Sequence, residues 1–422
     1  MLFILERFVF IKLTRSINCS FIIFSLGAAL SACGSSSSSS SSTVPGINYA
    51  HNLVFKNGTT LSTGYNAFGQ LGNGSTDSRK VPGALSESYH FKGFATGRNH
   101  SVAFTDSGEV YSWGNNAYGQ LGISESNNSS VPVKTDLGDL KVKAVAAGAL
   151  HTLALGGDGS VWAWGWNKYG QLGNEAVSES PAQPAKVVFS NGSTNVRALA
   201  ANGYNSMALA NGTVWVWGLN GNGQLGYNSL EKQSSQIPLA VPELAGITAI
   251  ASGSAFSYAL ASDTTVWAWG NNSNGQLGDG TVLDAPESGT DVPSGCVGVS
   301  SENAHLPVKV KTANSVLTNI VQVAAGYHHG LARLADDTVW AWGANVLGQL
   351  GNQAYGGNNC FAVQVRYENG AYLLAKDIRA FGSSSLAMTA DGVWYAWGNN
   401  IYGQLGIGSN DTALYPLRMS GF

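Results

Sequence analysis

Charged side chains are scarce in this 422-residue chain. Asp, Glu, Lys and Arg make up only 11% of the residues, against roughly 25% in ordinary soluble domains. The formal net charge is −3, and Lys and Arg are not clustered anywhere along the sequence. Proteins that bind nucleic acids use such clusters to neutralise phosphates. The composition therefore argues against a nucleic-acid partner.

Short motifs that carry known chemistry are also missing. The chain has no GxxxxGK[ST] phosphate loop, no HExxH zinc motif and no GxSxG nucleophile elbow. Its carboxylates are scattered, without a paired spacing typical of acid–base catalysis. We therefore expect no enzyme activity, no catalytic residue, no cofactor and no bound metal. An envelope hydrolase with a site assembled from distant segments is the alternative, which an activity screen would test.

The first 32 residues are typical of an export signal. Three basic residues precede an apolar stretch, residues 21–30, that is too short to cross a bilayer. It leads into LSACG at residues 30–34, which resembles the lipobox of bacterial lipoproteins. In that family the cysteine receives lipid and becomes the mature N-terminus. The resemblance implies a signal peptide over residues 1–32 and lipidation of Cys33, the alternative being an ordinary signal with a chance cysteine.

Residues 33–45 read as a spacer between the lipid and a folded body. Eight consecutive serines, residues 35–42, bury nothing and behave as a flexible tether. Gly34 stands where an Asp often signals inner-membrane retention in lipoproteins of Gram-negative type. The resemblance therefore favours a lipid-anchored protein of the bacterial envelope, in the outer membrane.

The rest of the chain repeats one unit. GQLG begins at Gly69, Gly119, Gly170, Gly223, Gly275, Gly348 and Gly403, at spacings of 50–55 residues apart from one of 73. A period of this length indicates a solenoid, a propeller or an array. In one unit, residues 131–137, 141–147, 151–155 and 161–165 alternate as strands, the last two joined by an Asp-Gly turn. Four short strands per unit predict one propeller blade.

Further residues keep the same register. A tryptophan precedes a glycine in six units: Trp113, Trp164, Trp217, Trp269, Trp342 and Trp397. An asparagine lies three positions before each GQLG: Asn66, Asn116, Asn167, Asn220, Asn272, Asn345 and Asn400. Asparagine side chains cap turns. We therefore interpret the motif as a loop that fixes one blade to the next, and the tryptophans as packing between blades rather than stacking on bases.

These motifs, together with GxxH at residues 97–100, 148–151 and 326–329, resemble the regulator of chromosome condensation repeat. The resemblance covers residues 46–422 and implies an all-β, seven-bladed propeller of four-stranded blades. Kelch repeats share the period, but their regularly placed double glycine is missing. Residues 415–422 match the start of a further unit, and the first unit lacks its outer strands. We predict that the C-terminal strand joins the first blade and closes the ring.

Four histidines share one position of the repeat: His51, His100, His151 and His329. We assigned the same position in the other units to Asn205, Phe256 and Ser385. Because phenylalanine has no ring nitrogen, the position tolerates loss of a ligand atom. A structural role is therefore favoured over a metal cluster.

The long spacing comes from an acidic insertion, residues 279–305. It carries no Lys or Arg, and its acidic residues are Asp279, Asp284, Glu287, Asp291 and Glu302. Insertions in repeat proteins often lie on the binding face. We interpret it as a candidate partner-binding loop, with two alternatives: a solvated loop without function, and a calcium site whose ligand spacing fits no known loop. Cys296 and Cys360 lie after the fifth and sixth GQLG, which places them in equivalent loops of adjacent blades, and we predict that they form a disulfide.

Together these features predict a membrane-anchored lipoprotein whose propeller is a protein–protein interaction platform. One alternative is an inhibitor of an extracytoplasmic enzyme, because the fold resembles secreted β-lactamase inhibitor proteins. Another is a guanine-nucleotide exchange factor-like regulator, the activity of the eukaryotic family namesake. Export argues against this second alternative because small GTPases are cytoplasmic.

Overall fold

A computed structural model describes residues 50–190, 192, 195–227, 233–283, 296–299, 306–354 and 356–422. Every regular element in these ranges is a β-strand, and the strands form seven successive sheets around a channel. The predicted seven-bladed propeller is therefore confirmed. No helix in these ranges is long and apolar enough to cross a membrane. The expected signal peptide, Cys33 and the serine tether lie outside the described residues.

Each blade is an antiparallel sheet whose strands follow one another in chain order. The first blade has β1 (His51–Lys56), β2 (Thr59–Gly64) and β3 (Arg79–Ala84). The second has β4 (Phe91–Thr96), β5 (His100–Thr105), β6 (Val110–Gly114) and β7 (Ser129–Lys134). The third has β8 (Val142–Ala147), β9 (His151–Gly156), β10 (Val161–Asn167) and β11 (Ser178–Lys186). The fourth has β12 (Val196–Asn202), β13 (Asn205–Ala210), β14 (Thr213–Leu219) and β15 (Ser234–Ala240).

The fifth blade contains the insertion. It has β16 (Ile247–Ser252), β17 (Phe256–Ala261), β18 (Val266–Gly270) and, after the short parallel pair β19 (Thr281–Leu283) and β20 (Val297–Val299), β21 (Val308–Lys309). The sixth has β22 (Ile320–Ala325), β23 (His329–Leu334), β24 (Val339–Gly343) and β25 (Asn359–Gln364). The seventh has β26 (Asp377–Phe381), β27 (Ser384–Met388), β28 (Trp394–Gly398) and β29 (Ala413–Arg418).

The position of a strand in its blade determines its composition. The first strands of blades two to seven line one central cavity, the channel, with small side chains such as Ala95, Ala200 and Ala380. The second strands lie between neighbouring blades, so both of their faces are buried, as in β9 and β13. A strand buried on both faces reads as a continuous apolar run. This is why HTLALG and NSMALA contain no charged residue.

The GQLG loop connects the third and fourth strands of a blade and packs against the next blade. In the first loop, the Asn66 side-chain oxygen accepts the N–H of Leu71 at 2.8 Å, and its amide donates to the carbonyls of Ser75 and Asp77. The Gln70 side chain accepts the N–H of Phe68 at 3.0 Å. Both buried side chains thus satisfy backbone groups of the loop itself. The predicted capping role of the asparagine is confirmed.

The same loop contacts the next blade through a backbone carbonyl. The glutamine carbonyl accepts the indole N–H of the following blade at 2.8–3.1 Å in six joints: Trp113 to Gln70, Trp164 to Gln120, Trp217 to Gln171, Trp269 to Gln224, Trp342 to Gln276 and Trp397 to Gln349. All six indoles are fully buried. A buried indole supplies about 150–250 Å² of packing area and normally needs a partner for its N–H. The motif is therefore a joint between blades, as predicted.

The prediction for the C-terminal strand is wrong. β29 pairs with β28, with Tyr395 opposite Arg418, and so completes the seventh blade rather than the first. From the sequence, we assign the strand that follows each GQLG loop to the start of the next blade. In the structure that strand folds back on the strand before the loop, because the loop connects antiparallel neighbours.

Ring closure instead uses side chains and loops of the first and seventh blades. The Thr63 hydroxyl lies 3.0 Å from the Gly403 carbonyl, and the Gly408 N–H donates to the Lys80 carbonyl at 2.9 Å. The rings of Tyr65 and Tyr402 are 4.8 Å apart. This joint, the seam, has Thr63 where the six other joints have tryptophan.

We predict that the last glycine of a GQLG motif cannot carry a side chain. Gly122 and Gly138 share a left-handed backbone, with φ of 64° and 60°. A Cβ at Gly122 would lie 2.8 Å from the Trp164 indole nitrogen of the next blade and 2.8 Å from Cγ2 of Thr135 in its own blade, whereas a Cβ at Gly138 meets open space. Both Gly→Ala variants incur about 1–2 kcal/mol of backbone strain. We expect Gly122→Ala to lose about 1–3 kcal/mol more through overpacking.

Thermal and chemical unfolding of the two variants, followed by circular dichroism, measures this difference. Gly138→Ala is the matched control because it reproduces the strain without the neighbouring blade. Equal losses of stability in both variants would contradict the close packing of the GQLG loop against the next blade.

Candidate functional site

The repeated histidines link neighbouring blades. Each Nε2 lies 2.8–3.0 Å from a hydroxyl of the following blade: His51 with Ser101, His100 with Thr152, His151 with Ser206 and His329 with Ser385. The Thr152 hydroxyl itself donates to the Gln120 carbonyl at 2.8 Å. Its only hydrogen is used there, so the His100 Nε2–H is the donor to Thr152. The histidine thus extends the joint made by the tryptophan.

Burial keeps these histidines uncharged. Desolvation lowers the pKa of His51, His100, His151 and His329 to about 3. The glycine of GxxH makes room for the ring, since a Cβ at Gly148 would lie 2.0 Å from the His151 Cε1. Among the described residues, no group of three or more His, Cys, Asp or Glu is placed to hold a metal. The geometry therefore supports the structural role of the histidines.

One assignment of the register needs correction. Ser384, not Ser385, occupies the histidine position in the seventh blade, because Ser384 pairs with Gly398 as His329 pairs with Gly343. Ser385 is the hydroxyl partner of His329. The sequence assignment was displaced by one residue because FGSSSL offers three serines in a row.

The base of the insertion is fixed to the sixth blade. Cys296 and Cys360 form the predicted disulfide, with their Cα atoms 5.9 Å apart. Cys360 is 1% exposed and belongs to β25, rather than to a loop as we expected. The Gly280 N–H also donates to the Cys360 carbonyl at 2.8 Å. The start of the insertion, at Gly280, and Cys296 within it are thus both attached to Cys360 of the neighbouring blade.

The acidic residues of the insertion divide into two groups. Asp279 belongs to the ordinary loop, where its Oδ1 accepts the Thr281 hydroxyl at 2.7 Å and the Thr281 N–H at 3.1 Å. This position is Asn73 in the first loop, where it accepts the amide of Asn66. Asp279 therefore has a structural role. The other four acidic residues, Asp284, Glu287, Asp291 and Glu302, lie outside the described residues.

Aromatic side chains gather on the face that carries the GQLG loops, called here the GQLG face. Trp166 lies 5.6 Å from Tyr118, 5.5 Å from Tyr169 and 5.1 Å from Tyr204, measured between ring centroids. We call these four residues the aromatic patch. All four are partly exposed, and burial raises the pKa of the Tyr204 phenol while the nearby Arg98 charge opposes that rise. The patch spans the second, third and fourth blades, with Trp166 near the end of β10 and the three tyrosines in loops.

Sequence reasoning missed the aromatic patch. One irregularity of the repeat could have indicated it. Trp166 directly follows the Trp-Gly pair, at the position that Asn115, Asn271 and Asn399 occupy in other units. A large aromatic side chain at a position that is asparagine in three other units, and leucine or alanine in two more, is not needed for the joint. Only the fold brings Trp166 next to Tyr204, which lies 38 residues further along the chain.

Comparison with known families agrees with this architecture. Residues 46–295 match the model of the RCC1-like domain. The chain belongs to this family. Residues 263–333 and 391–422 match the regulator of chromosome condensation (RCC1) repeat, and residues 320–349 match a second model of that repeat.

Individual relatives of this RCC1-like chain have diverse roles. The ultraviolet-B receptor UVR8 of Arabidopsis thaliana is 32% identical over 294 residues, which are 69% of this chain and 62% of UVR8. The E3 ubiquitin-protein ligase HERC2 of Mus musculus is 30% identical over 85% of this chain but only 7% of its own length. The crystal structure of Prp20p from Saccharomyces cerevisiae superposes with a TM-score of 0.71 at 25% identity, covering 89% of this chain and 88% of Prp20p. The chain thus spans less than two thirds of either curated relative.

We predict that the RCC1-like propeller loses stability as the pH falls from 6.5 towards 3. The folded pKa of each repeated histidine is about 3, whereas an unfolded histidine titrates near about 6.5. Below that value the unfolded chain binds more protons than the folded chain, so acid favours unfolding. Each histidine contributes about 1.4 kcal/mol per pH unit to this slope.

Denaturant unfolding between pH 4 and 5.5, where an unfolded histidine is almost fully protonated, measures the slope. His151→Asn places in the third blade the residue that the fourth blade has naturally as Asn205. We expect the slope to fall by about 1.4 kcal/mol per pH unit in this variant. An unchanged slope would mean that His151 is protonated in the folded protein.

Proposed function

We propose that this RCC1-like chain is a membrane-anchored lipoprotein of the bacterial envelope, and that its propeller is a protein–protein interaction platform. The observation that supports the platform is that the aromatic patch and the disulfide-bonded base of the insertion share the GQLG face. Tyr and Trp are enriched in protein interfaces because they combine a large apolar surface with a polar tip. Neither feature is needed for the joints between blades.

The relatives support a protein partner. The structure of Prp20p was described together with its binding to Gsp1p and to histones. In this chain, the acidic insertion and the scarcity of Lys and Arg favour a partner with a basic or neutral surface over an acidic polymer. The identity of captured proteins separates the alternatives: an envelope enzyme bound at its active site indicates an inhibitor, and a small GTPase indicates an exchange factor-like regulator.

Tethering suits the insertion to binding. Ordering a flexible loop on binding costs about 1–2 kcal/mol per residue in backbone entropy. The Cys296–Cys360 bridge and the Gly280 hydrogen bond remove part of that entropy before a partner arrives. A loop restricted beforehand retains more of its contact energy as affinity.

The anchor is tested by Cys33→Ala. A thioether-linked lipid at Cys33 would hold the protein in the membrane, so we expect the variant to move from the detergent phase to the soluble fraction. Detergent partitioning followed by immunoblotting measures this shift. Ser38→Ala, within the serine tether, is the control and should stay with the membrane. Unchanged partitioning of the Cys33 variant would remove the lipoprotein proposal.

The insertion is tested by replacing residues 284–295 with a short Gly-Ser linker of about five residues, long enough to bridge the two ends. This variant keeps Cys296 and its disulfide but removes Asp284, Glu287 and Asp291. We expect capture of proteins from intact cells, identified by mass spectrometry, to fall at least about tenfold, while the melting temperature stays within a few degrees.

A control variant changes three acidic residues at the opposite end of the propeller, Asp106, Asp136 and Asp139, to Asn. It should capture partners as well as the unaltered protein does. Undiminished capture by the linker variant would place the binding surface elsewhere on the propeller.

A further inference from the structure

The channel opens onto the GQLG face through a ring of short loops. Each loop joins the first and second strands of a blade, and hydrogen bonds connect the loops of neighbouring blades. The Ala149 N–H donates to the Gly203 carbonyl at 2.8 Å, and the Tyr327 N–H donates to the Gly382 carbonyl at 2.6 Å. The backbone of this ring, called here the mouth, is therefore held in place, and each of blades two to seven contributes one side-chain position to it.

Arg98 is the residue at this position in the second blade. It lines a pocket of about 220 Å³ at the mouth, together with Tyr204, Leu219, Asn222, Ser254 and Tyr327. Arg98 is the only charged residue in this lining. Alanine and glycine at positions 149 and 203 leave the space beside it open.

The guanidinium of Arg98 has an unused donor. Its Nε is buried and has no hydrogen-bond partner among the described residues. By comparison, Arg333 and Arg379 form ion pairs with Asp337 and Asp377. A buried donor without a partner costs about 1–3 kcal/mol, and a charged one costs more. A ligand that accepts from Arg98 would recover this free energy.

We propose that the Arg98 pocket binds a carboxylate side chain, Asp or Glu, of the protein partner. The proposal deepens the platform function and rests on it. A guanidinium matches the two oxygens of a carboxylate in a fork. The single positive charge of Arg98 balances the single negative charge of one carboxylate. The volume of the pocket suits the carboxylate end of one side chain and is too small for a nucleotide.

The aromatic patch identifies the source of the carboxylate as a protein. Tyr204 belongs to both the pocket and the patch, with its ring 5.1 Å from Trp166 and 5.5 Å from Tyr169. A partner whose acidic side chain enters the pocket would therefore lay its neighbouring residues on Trp166 and Tyr169. Arg, Tyr and Trp are the residues that dominate binding energy in protein interfaces.

The pocket can be tested without the natural partner by NMR. Protein labelled with ¹⁵N in arginine and tryptophan is titrated with N-acetyl-glutamate amide, whose only charge is the side-chain carboxylate. We expect a saturable shift of the Arg98 Nε–H and of the Trp166 indole N–H. N-acetyl-glutamine amide, which has the same shape without the charge, should shift neither resonance. Inorganic phosphate is the competing anion.

Two variants complete the test. Arg98→Gln should abolish the shift of the Trp166 indole at an unchanged melting temperature. Arg366→Gln, which alters an arginine 4.8 Å from the exposed Tyr372 ring, should leave the shift intact. In partner capture, Arg98→Gln should bind roughly tenfold more weakly than Arg366→Gln.

The outcomes separate the pocket from the platform. No saturable shift with the glutamate probe, an equal shift with the glutamine probe, or a larger shift with phosphate would each overturn the carboxylate pocket. Failure to capture any protein would overturn the platform, whereas the probe titration still decides what the pocket binds.

Discussion

The backbone carbonyl of the glutamine in the first six GQLG loops is the acceptor on which the propeller depends. It takes an indole N–H and, in four joints, also a hydroxyl from the next blade, at 2.8–3.1 Å. An indole buried without this acceptor would leave an unpaired donor at a cost of about 1–3 kcal/mol. The loop must therefore hold one geometry, which explains the buried Asn, the Gln and the two glycines of each motif.

The same acceptor explains where the histidine is replaced. A histidine needs a hydroxyl in the following blade, and that hydroxyl needs the glutamine carbonyl. In the fifth blade, Phe256 takes the place of histidine, and the position facing it in the sixth blade is Gly330. The Tyr258 hydroxyl then donates to the Gln276 carbonyl at 2.5 Å. Three positions, Phe256, Tyr258 and Gly330, thus differ together from the other units, and the carbonyl still has a second donor.

Repetition made most of the fold predictable from the sequence. Seven copies of one motif established the number of blades, and the alternation of apolar residues located the strands. The phase of the repeat was harder, because a strand after a loop can pair with either blade, and the choice for residues 415–422 was wrong. The aromatic patch and the Arg98 pocket were not predicted, because both join loops of different blades. Such a juxtaposition depends on the closed ring and leaves no periodic signal.

The seam has a mechanical consequence. At the six other joints, the chain itself continues from the outer strand of one blade to the next blade. At the seam, Thr63 and Gly403 meet through side-chain and backbone contacts, without an indole and without such a connection in the described residues. The seam is therefore the least restrained joint of the ring. When the ring opens, the first and seventh blades should separate before any other pair of blades. Amide hydrogen exchange in β2 and β3 would report this opening. A ligand that contacts both blades would stabilise the closed ring.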